Sequence, residues 1–287
     1  NLPKMRTGNI PYDGGHLILS KNDKISLIAK CPSIGKYIKK LSGSREYIND
    51  IERFCIWVEE EQYNEAKKIP LLNEIFKSVT DSRLEGGNVA RTFANRPYRF
   101  CMNNRCTKSQ IILPRVSSMR REYIPFGFLD SETIVSDSAQ VIFDPELYMI
   151  GILMSKMHML WVNIVAGRLK NDYRYSPVVC YNTFPIPPFS KQRKEEITQR
   201  SLKIIDERLK YSEKTLAQLY DPDKMPEGLK EAHHQNDLAV ERCYRSTPFS
   251  SDEERLEYLF KLYEKMIQEE KDKDTLFAKE KKTRKRK

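Results

Sequence analysis

Three prolines within five residues, in the segment Phe184-Pro185-Ile186-Pro187-Pro188, divide this 287-residue sequence into two parts of different character. Proline fixes its own φ and removes a backbone donor, so this segment suits neither a helix nor the interior of a sheet. Before it, short β-prone runs alternate with turn residues, and after it the apolar residues recur at helical spacing. The sequence therefore predicts an α+β chain, with a mixed or antiparallel sheet over residues 1–188 and a small C-terminal helical bundle over 189–270.

The first part is predicted to be rich in short strands. We expect strands at 17–19, 53–58, 98–102, 110–116, 123–128, 138–143 and 178–181. A short helix is expected over 33–41, and a helical stretch over 59–84 that Pro70 breaks or kinks. Asp144 and Pro145 have the pattern of an N-cap followed by proline at the first helical position, which predicts a helix from there to about Ala166.

The second part is predicted to be helical throughout. Ser190 is a candidate N-cap for a helix to about Tyr211, followed by helices over 212–220 and from Met225-Pro226 to about residue 244. Ser251 with Glu254 forms a capping box that predicts a fourth helix to about residue 270. Residues 271–287 carry 9 basic and 3 acidic side chains without apolar periodicity, and we expect a disordered basic tail there.

Positive charge is concentrated in one window of the first part. The chain carries a formal net charge of +10, and residues 86–121 contain no acidic residue. This acid-free window holds Arg91, Arg96, Arg99, Arg105, Lys108, Arg115, Arg120 and Arg121, with Phe93, Tyr98 and Phe100 between them. Arginine's planar fork suits phosphates and guanine edges, so one interpretation is a nucleic-acid surface. The alternative is a solvated basic face, or arginines paired with acids elsewhere in the fold.

The cysteines and histidines do not indicate a metal site. The six cysteines are scattered, and the Cys101 and Cys106 pair has neither CxxC spacing nor a nearby histidine. The His233-His234 doublet lacks the i, i+4 spacing that brings two ligands to one helix face. Scattered free thiols suit a reducing compartment, so we expect a cytoplasmic protein. We expect no membrane partner, because no apolar run reaches the length of a membrane span and no signal peptide opens the chain.

The residues alone do not identify an enzyme. The sequence contains no phosphate-binding glycine-rich loop, no HExxH and no GxSxG motif, and its runs of carboxylates suit solvated helix starts. Whether the chain is an enzyme is therefore left open by its motifs. Composition and pattern reach as far as a basic α+β region with a helical region, and a nucleic-acid surface as one of its interpretations.

Several segments in one order resemble a known family. They are residues 111–128 with Pro114-Arg115-Val116-Ser117-Ser118 and Tyr123-Ile124-Pro125, residues 157–161 and 167–176, residues 181–185, and the shorter stretches 12–17 and 216–226. Together they resemble the target-recognition domain and C-terminal helical domain of large class I DNA methyltransferases of the MmeI-like (Type IIL) restriction–modification group. The resemblance covers nearly the whole chain except the basic tail.

The resemblance implies a DNA-recognising part of a larger enzyme. It divides the chain into a target-recognition domain over 1–188, a helical domain over 189–270 and the tail over 271–287. It implies double-stranded DNA as a partner, together with an S-adenosylmethionine-dependent methyltransferase domain of the same polypeptide that methylates a flipped adenine. The Asn-Pro-Pro-aromatic motif and the cofactor loop of that domain are absent here, since Tyr181-Asn182-Thr183-Phe184-Pro185 is not such a motif. We therefore place no catalytic residue and no cofactor in this chain, and expect S-adenosylmethionine in the missing domain.

In this family the segment after the long helix supplies base-reading side chains, which the resemblance carries to Lys170 and Asp172. Lysine donates to guanine acceptors in the major groove and aspartate accepts from the cytosine amino group, so the pair suits one G·C pair. The residues assigned to the DNA backbone or to support are Arg115, Ser117, Ser118, Arg120, Arg121, Arg168, Tyr173 and Arg174. The alternative is a surface charge pair at 170 and 172, with arginines paired to acids and tyrosines that fix the loop to the core.

Two other functions compete with this prediction. The chain is, in one alternative, a stand-alone interaction module that binds nucleic acid or protein without sequence specificity. In the other it is a separate specificity subunit that binds a methyltransferase in trans. An Asn-Pro-Pro-aromatic motif upstream in the same reading frame would favour a fragment of a methyltransferase, which is our expectation.

Overall fold

The protein consists of two compact units, each assembled from separate stretches of the chain. The computed structural model describes the backbone of residues 3–284 and the side chains of residues 3–272. Unit 1 comprises Asn1–Ser117, Ile124–Glu146 and Ser212–Lys224, and unit 2 comprises Ser118–Tyr123, Leu147–Tyr211 and Met225–Lys287. The domain boundary that the sequence predicts between residues 188 and 189 stays a prediction, because compactness and sequence domains divide the chain by different criteria.

Eight of the nine strands described in unit 1 form two four-stranded sheets. Its strands are β1 (Met5–Thr7), β2 (Ile18–Ser20), β3 (Ile38–Ser42), β4 (Arg53–Ile56), β5 (Ser109–Pro114), β6 (Val116–Ser117), β7 (Gly127–Asp130), β8 (Ile134–Val135) and β9 (Ala139–Phe143). One sheet has the order β1-β9-β5-β7 and is antiparallel. The other has the order β2-β4-β3-β8, in which only the β3–β8 pair is parallel. The α+β prediction of a mixed or antiparallel sheet followed by a helical region is confirmed.

Helices flank the sheets of unit 1 and make up most of unit 2. They are α1 (Lys21–Lys30), α2 (Ser44–Asn49), α3 (Tyr63–Ala66), α4 (Pro70–Glu85), α5 (Asn88–Arg91), α6 (Tyr148–Leu153), α7 (Lys156–Val165), α8 (Lys191–Leu209), α9 (Leu216–Leu219), α10 (Glu227–Tyr244) and α11 (Asp252–Arg284). Pro70 occupies the first turn of α4, where its missing N–H costs no hydrogen bond. Within unit 1, Trp57 after β4 packs against Phe100, and Phe76 of α4 belongs to the same core.

Local patterns misled the sequence prediction in several places of unit 1. The strand predicted over 123–128 begins only at Gly127, as β7 (Gly127–Asp130). The helix predicted over 33–41 is wrong: a 3-10 turn at Pro32–Tyr37 leads directly into β3. Since β3 pairs with strands on both sides, its sheet hydrogen bonds outweigh a weak local helix preference. The strand predicted over 98–102 is also wrong, because this segment is irregular and the amides of Cys101 and Met102 both donate to the carbonyl of Ile10.

The helix predicted from Asp144 is wrong at its start and has a break. Asp144 has φ 47°, and its carboxylate accepts from the main-chain N–H groups of Thr107 and Lys108 at 3.0 and 2.7 Å, so it caps no helix. The helical stretch begins later, as α6, and is interrupted before α7, whose N-cap is Ser155. The strand predicted over 178–181 is instead a short π-helix at Pro177–Tyr181.

Unit 2 is built from α6, α7, α8, α10 and α11 around one apolar core. Gly151 of α6 lies so close to α8 and α10 that a Cβ there would meet the side chains of Ile197 and Asn236 at 2.5 and 2.8 Å. The amide of Asn236 uses this proximity and donates to the carbonyl of Gly151 at 2.8 Å. Trp161 of α7 is buried in the same core against Tyr263 of α11.

The predictions for the second part are confirmed for three helices. Ser190 accepts from the amide of Arg193 and caps α8, and α10 follows Pro226 as expected. Ser251 accepts from the amide of Glu254 at the start of α11. The helix predicted over 212–220 shrinks to α9 and belongs to unit 1. The disordered tail predicted over 271–287 is wrong for residues 271–284, whose backbone continues α11, and residues 285–287 lie outside the described residues. Within the described part of the chain, no helix is both long and apolar enough to cross a membrane.

Candidate nucleic-acid interface

The two residues predicted to read bases lie together at the tip of an antiparallel hairpin. Its strands are β10 (Gly167–Leu169) and β11 (Asp172–Arg174), and the last pair before the loop is Leu169 with Asp172. The loop is therefore only two residues long, Lys170 and Asn171. Lys170 has φ 55°, a left-handed conformation that such loops ordinarily assign to glycine or asparagine. For a lysine this conformation costs about 1 kcal/mol, and strain of this kind tends to occur at functional sites.

The hairpin has an inward and an outward face. Residues directly opposite one another in an antiparallel pair share a face, so Arg168 and Tyr173 lie on one side, with Gly167, Leu169, Asp172 and Arg174 on the other. Tyr173 is buried, whereas Lys170 and Arg174 are exposed and Asp172 is half-buried. The hairpin therefore presents charged side chains on the face opposite its packed tyrosine.

The root of the hairpin is fixed to α7 through Asn163. The amide oxygen of Asn163 accepts from the Tyr173 hydroxyl and from Nη2 of Arg168, both at 3.1 Å. The Arg168 guanidinium also lies 4.3 Å from the centre of the Tyr173 ring. Arg168 and Tyr173, which the sequence assigns to DNA contact or support, are thus bonded within the hairpin and its helix.

A second anchor follows the hairpin at Tyr175. His158 of α7 lies 2.8 Å through Nδ1 from the carbonyl of Leu153 and 3.1 Å through Nε2 from the Tyr175 hydroxyl. Since a carbonyl can only accept, Nδ1 carries the proton and Nε2 accepts from the tyrosine. Burial lowers the pKa of His158 to about 4, which keeps the ring neutral, although the carbonyls of Leu153 and Cys180 act in the opposite direction. Sequence analysis missed these positioning roles of Asn163 and His158, because no local signal marks them beyond their place in a predicted helix.

The polar side chains at the tip of the hairpin are left without partners inside the described structure. Within residues 3–272, no hydrogen bond or ion pair engages the side chains of Lys170, Asn171, Asp172 or Arg174. A donor, an acceptor and a further donor are therefore held on a fixed root without internal partners. This arrangement suits hydrogen bonding to an external partner that carries both acceptors and donors, as base edges do.

The segment Ser118–Tyr123 forms a separate turn in unit 2. The carbonyl of Ser118 accepts from the amide of Arg121 at 3.2 Å, and its hydroxyl accepts from the amide of Arg120 at 3.3 Å. Met119 and Arg120 therefore occupy the exposed centre of the turn. Arg121 is half-buried beside them.

This turn is fixed at its end by a buried carboxylate. The hydroxyl of Tyr123 donates to Asp237 at 2.6 Å, and the amide of Lys156 donates to the same carboxylate at 2.7 Å. The Tyr123 ring also stacks on His233 with 4.1 Å between centroids. Burial raises the pKa of Asp237 to about 7, although both hydrogen bonds act in the opposite direction.

Two other residues predicted to contact the DNA backbone, Arg115 and Ser117, belong to unit 1 and face inward. The guanidinium of Arg115 donates to the carbonyl of Asp137 at 3.0 Å, and its amide donates to the Ser44 hydroxyl. Ser117 is buried. Their role as phosphate contacts stays a prediction.

Much of the acid-free window is also bonded inward. Arg99 pairs with Glu60 at 3.2 Å, and Arg105 pairs with Glu59 at 2.6 Å. Tyr98 and Phe100 are buried in the core of unit 1. For these residues the alternative interpretation, arginines paired with acids elsewhere in the fold, is confirmed.

A buried arginine that sequence analysis did not single out organises this window. Arg83 of α4 donates five hydrogen bonds to main-chain carbonyls, those of Pro11, Tyr12, Phe93, Arg96 and Arg99, at 2.7–2.9 Å. Burial lowers the pKa of its guanidinium. No sequence signal distinguishes Arg83 from the exposed arginines of helices.

The described side chains form no candidate metal-binding site. No group of three or more histidine, cysteine, aspartate or glutamate residues there is placed to hold an ion. The six cysteines are free thiols.

Comparison with known proteins places this architecture in a family. "DNA methyltransferase A" of Bacillus subtilis (strain 168) is 46% identical over 271 residues, which are 93% of this chain and 30% of that protein. A solved structure of the Type IIL restriction–modification enzyme MmeI in complex with DNA superposes with a TM-score of 0.88 and 33% identity, over 93% of this chain and 36% of that one. The chain thus spans about a third of the length of these relatives.

The match to the family is divided into two consecutive parts. Residues 1–188 match the family described as "MmeI, target recognition domain", and residues 189–269 match "MmeI, C-terminal domain". These matches agree with the resemblance carried by residues 111–128 and 167–176. The chain therefore belongs to the MmeI family, of which it contains the target recognition domain and the C-terminal domain.

Proposed function

We propose that this chain recognises a specific sequence of double-stranded DNA as the recognition part of a larger adenine-specific DNA methyltransferase. The observation that carries the proposal is the β10–β11 hairpin. It holds Lys170 and Asp172 at a strained two-residue tip, without internal side-chain partners among the described residues, on a root bonded to α7. The relative of known structure, solved in complex with DNA, supports DNA as the ligand class.

The chemistry of the tip suits one G·C pair in the major groove. The ammonium group of Lys170 donates to O6 and N7 of guanine, and the carboxylate of Asp172 accepts from the amino group of the paired cytosine. Replacing that pair with another leaves one of these groups without a partner, so discrimination of about 1–3 kcal/mol is expected. Arg174 follows on the same face, and Arg120 on its exposed turn suits a phosphate.

Catalysis belongs to a domain outside this chain in this proposal. A methyltransferase domain of the same polypeptide would bind S-adenosylmethionine and methylate the amino group of an adenine rotated out of the duplex. The homologous "DNA methyltransferase A", of which this chain corresponds to 30%, supports such an arrangement. The contribution of the present residues is to select the site and fix the register.

Selection from a randomised duplex pool at moderate salt tests the proposal. Sequencing of the bound DNA should return one short motif that contains an adenine and a G·C pair. Binding without enrichment would support the competing function, a module that binds nucleic acid without specificity. The variant with Lys170→Glu and Asp172→Arg identifies the position that the tip reads, because only that position of the motif should change.

A further inference from the structure

One apolar side chain lies exposed among the charged residues of the hairpin tip. Leu169 is the last residue of β10 and keeps 51% of its surface exposed. It lies directly opposite Asp172 and therefore shares the outward face with Asp172 and Arg174. The hydrogen bonds that fix the root run through Arg168, Tyr173 and Tyr175, and the Leu169 side chain takes no part in them.

The geometry of the strand pair sets the distance between the side chains of Leu169 and Asp172. Side chains directly opposite in an antiparallel pair have Cβ atoms about 4.5–5.5 Å apart. Successive base pairs of DNA are about 3.4 Å apart along the helix axis. When Asp172 reaches one base pair, Leu169 is therefore within one or two steps of it.

The space beside Leu169 is also open. Gly167 precedes it on the same face, and a Cβ placed there would meet no atom within 4 Å. On the outward face, β10 therefore carries no protruding side chain except that of Leu169, while β11 carries the charged side chains of Asp172 and Arg174. A nucleic-acid edge that approaches this face meets a carboxylate and a guanidinium on one strand and a single isobutyl group on the other.

The chemistry of base edges identifies what an isobutyl group recognises. In the major groove, guanine, adenine and cytosine present only hydrogen-bonding groups and polarised edges, whereas thymine adds a methyl group at C5. A leucine can neither donate nor accept a hydrogen bond, so contact with a polar edge would leave that edge unsatisfied. Contact with a C5-methyl group buries apolar surface on both partners.

We propose that Leu169 is a further specificity-determining residue, which contacts the C5-methyl group of a pyrimidine next to the base pair read by Lys170 and Asp172. This inference rests on the proposed function, since it requires that the hairpin tip enter the major groove. Leu169 makes the chain prefer thymine over cytosine at that position, independently of any hydrogen bond.

The test removes or adds one methyl group at a time. In the motif obtained by selection, each thymine is replaced singly by deoxyuridine and each cytosine by 5-methylcytosine, on both strands. The dissociation constant of each duplex is measured with the 287-residue chain. At one position, within two base pairs of that changed by Lys170→Glu with Asp172→Arg, the methyl group should tighten binding about fourfold, the ratio expected for burial of one such group.

The Leu169→Ala variant should lose this methyl effect and retain the rest of the motif. Leu209→Ala is the matched control, because Leu209 is an exposed leucine at the end of α8 and its truncation should leave the methyl effect intact. Absence of any methyl effect in the original chain, or its persistence in Leu169→Ala, overturns the inference and leaves the proposed function standing. If selection returns no motif, the proposed function fails first and the inference fails with it.

Discussion

The acid-free window and the β10–β11 hairpin differ in what their charged side chains contact. The window has the composition of a nucleic-acid surface, yet Arg99 and Arg105 pair with glutamates and its aromatic residues Tyr98 and Phe100 are core residues. The hairpin has no unusual composition, yet its tip keeps Lys170 and Asp172 without internal partners within the described residues.

The difference shows that the number of arginines in a segment does not indicate how many of its donors are left without a partner inside the fold. A guanidinium that already donates to carbonyls or carboxylates of the protein has fewer N–H groups left to donate to an external partner. A recognition surface needs donors and acceptors that are fixed in position but unsatisfied. In the hairpin, the neighbouring residues are fixed by hydrogen bonds to two residues of α7, the exposed Asn163 and the buried His158.

The largest expected effect tests the structural role of the window. Arg83→Met removes five part-buried hydrogen bonds to main-chain carbonyls, and two of these carbonyls, those of Pro11 and Phe93, keep a second donor. We expect the free energy of unfolding to fall by about 3–5 kcal/mol in urea titrations. The matched control is Arg96→Met at an exposed side chain, for which we expect a change below about 0.5 kcal/mol. Equal effects of the two substitutions would remove the distinction between inward and outward arginines.

The next effect concerns the carboxylate that fixes the 118–123 turn. Burial raises the pKa of Asp237 to about 7, whereas an aspartate in an unfolded chain has a pKa of about 3.9. Between these values the unfolded state has lost the proton and the folded state keeps it, so this carboxyl makes the free energy of unfolding fall as the pH rises. At 1.36 kcal/mol per pKa unit, the free energy of unfolding should fall by about 4 kcal/mol in all between pH 4 and pH 7. Below pH 4 the carboxyl is protonated in both states and adds no further pH dependence.

The difference between variants isolates this carboxyl from other titrating groups. The ionisable groups around it or around the adjoining pocket are Glu122, Tyr123, Lys156, Glu227, Lys230, Glu231, His233, His234 and Glu241. Asp237→Asn should flatten the pH dependence of unfolding relative to the original chain, and Asp206→Asn, at an exposed position of α8, should not. A pH profile unaltered by Asp237→Asn would contradict the prediction.

A smaller effect tests the hairpin. The variant with Lys170→Glu and Asp172→Arg keeps the net charge, so its non-specific affinity for DNA should stay the same. Preference at one base pair should change by about 1–3 kcal/mol, measured as the ratio of dissociation constants for duplexes that differ only there. Because both side chains lack internal partners in the described structure, the free energy of unfolding should change by less than about 0.5 kcal/mol. Unaltered preference at every position would show that the tip does not read bases.

The smallest effect compares two arginines of the acid-free window, Arg120 on the exposed 118–123 turn and Arg99, which pairs with a glutamate. Arg120→Ala should lower the slope of log affinity against log salt by about one unit, because one phosphate contact is lost, and should weaken binding to all sequences alike. Arg99→Ala, which removes an arginine already paired with Glu60, should leave the slope unchanged. The salt dependence of binding to a non-specific duplex measures both. The reverse result would assign the phosphate contact to Arg99 and contradict its assignment to Arg120.

Sequence patterns predicted those parts of the fold that depend on neighbouring residues. Ser190 and its helix, Pro70 at the start of α4 and the sheet strand β9 were all evident from local signals. Patterns failed where a distant partner decides. Asp144 has the sequence of an N-cap but binds amides 36 and 37 residues earlier in the chain, and residues 38–42 become a strand only because β4 and β8 lie beside them.

The candidate site was predictable in part. Residues 170 and 172 were selected by resemblance, and their spacing of two predicts a shared face only if the segment is a strand. Nothing in the sequence predicted the left-handed conformation of Lys170 or the bonds from Tyr173 and Arg168 to Asn163. These depend on the position of α7 next to the hairpin, which is a tertiary property.

The separation of root and tip in the hairpin has an evolutionary consequence. The hydrogen bonds that hold the hairpin in place involve Arg168, Tyr173 and Tyr175, with partners in α7. Mutations at 169–172 leave these bonds intact, so successive generations can sample new side chains there without passing through poorly folded ancestors. If the tip reads bases as proposed, single substitutions there would change the recognised base pairs one at a time, while the root of the hairpin keeps its bonds to α7.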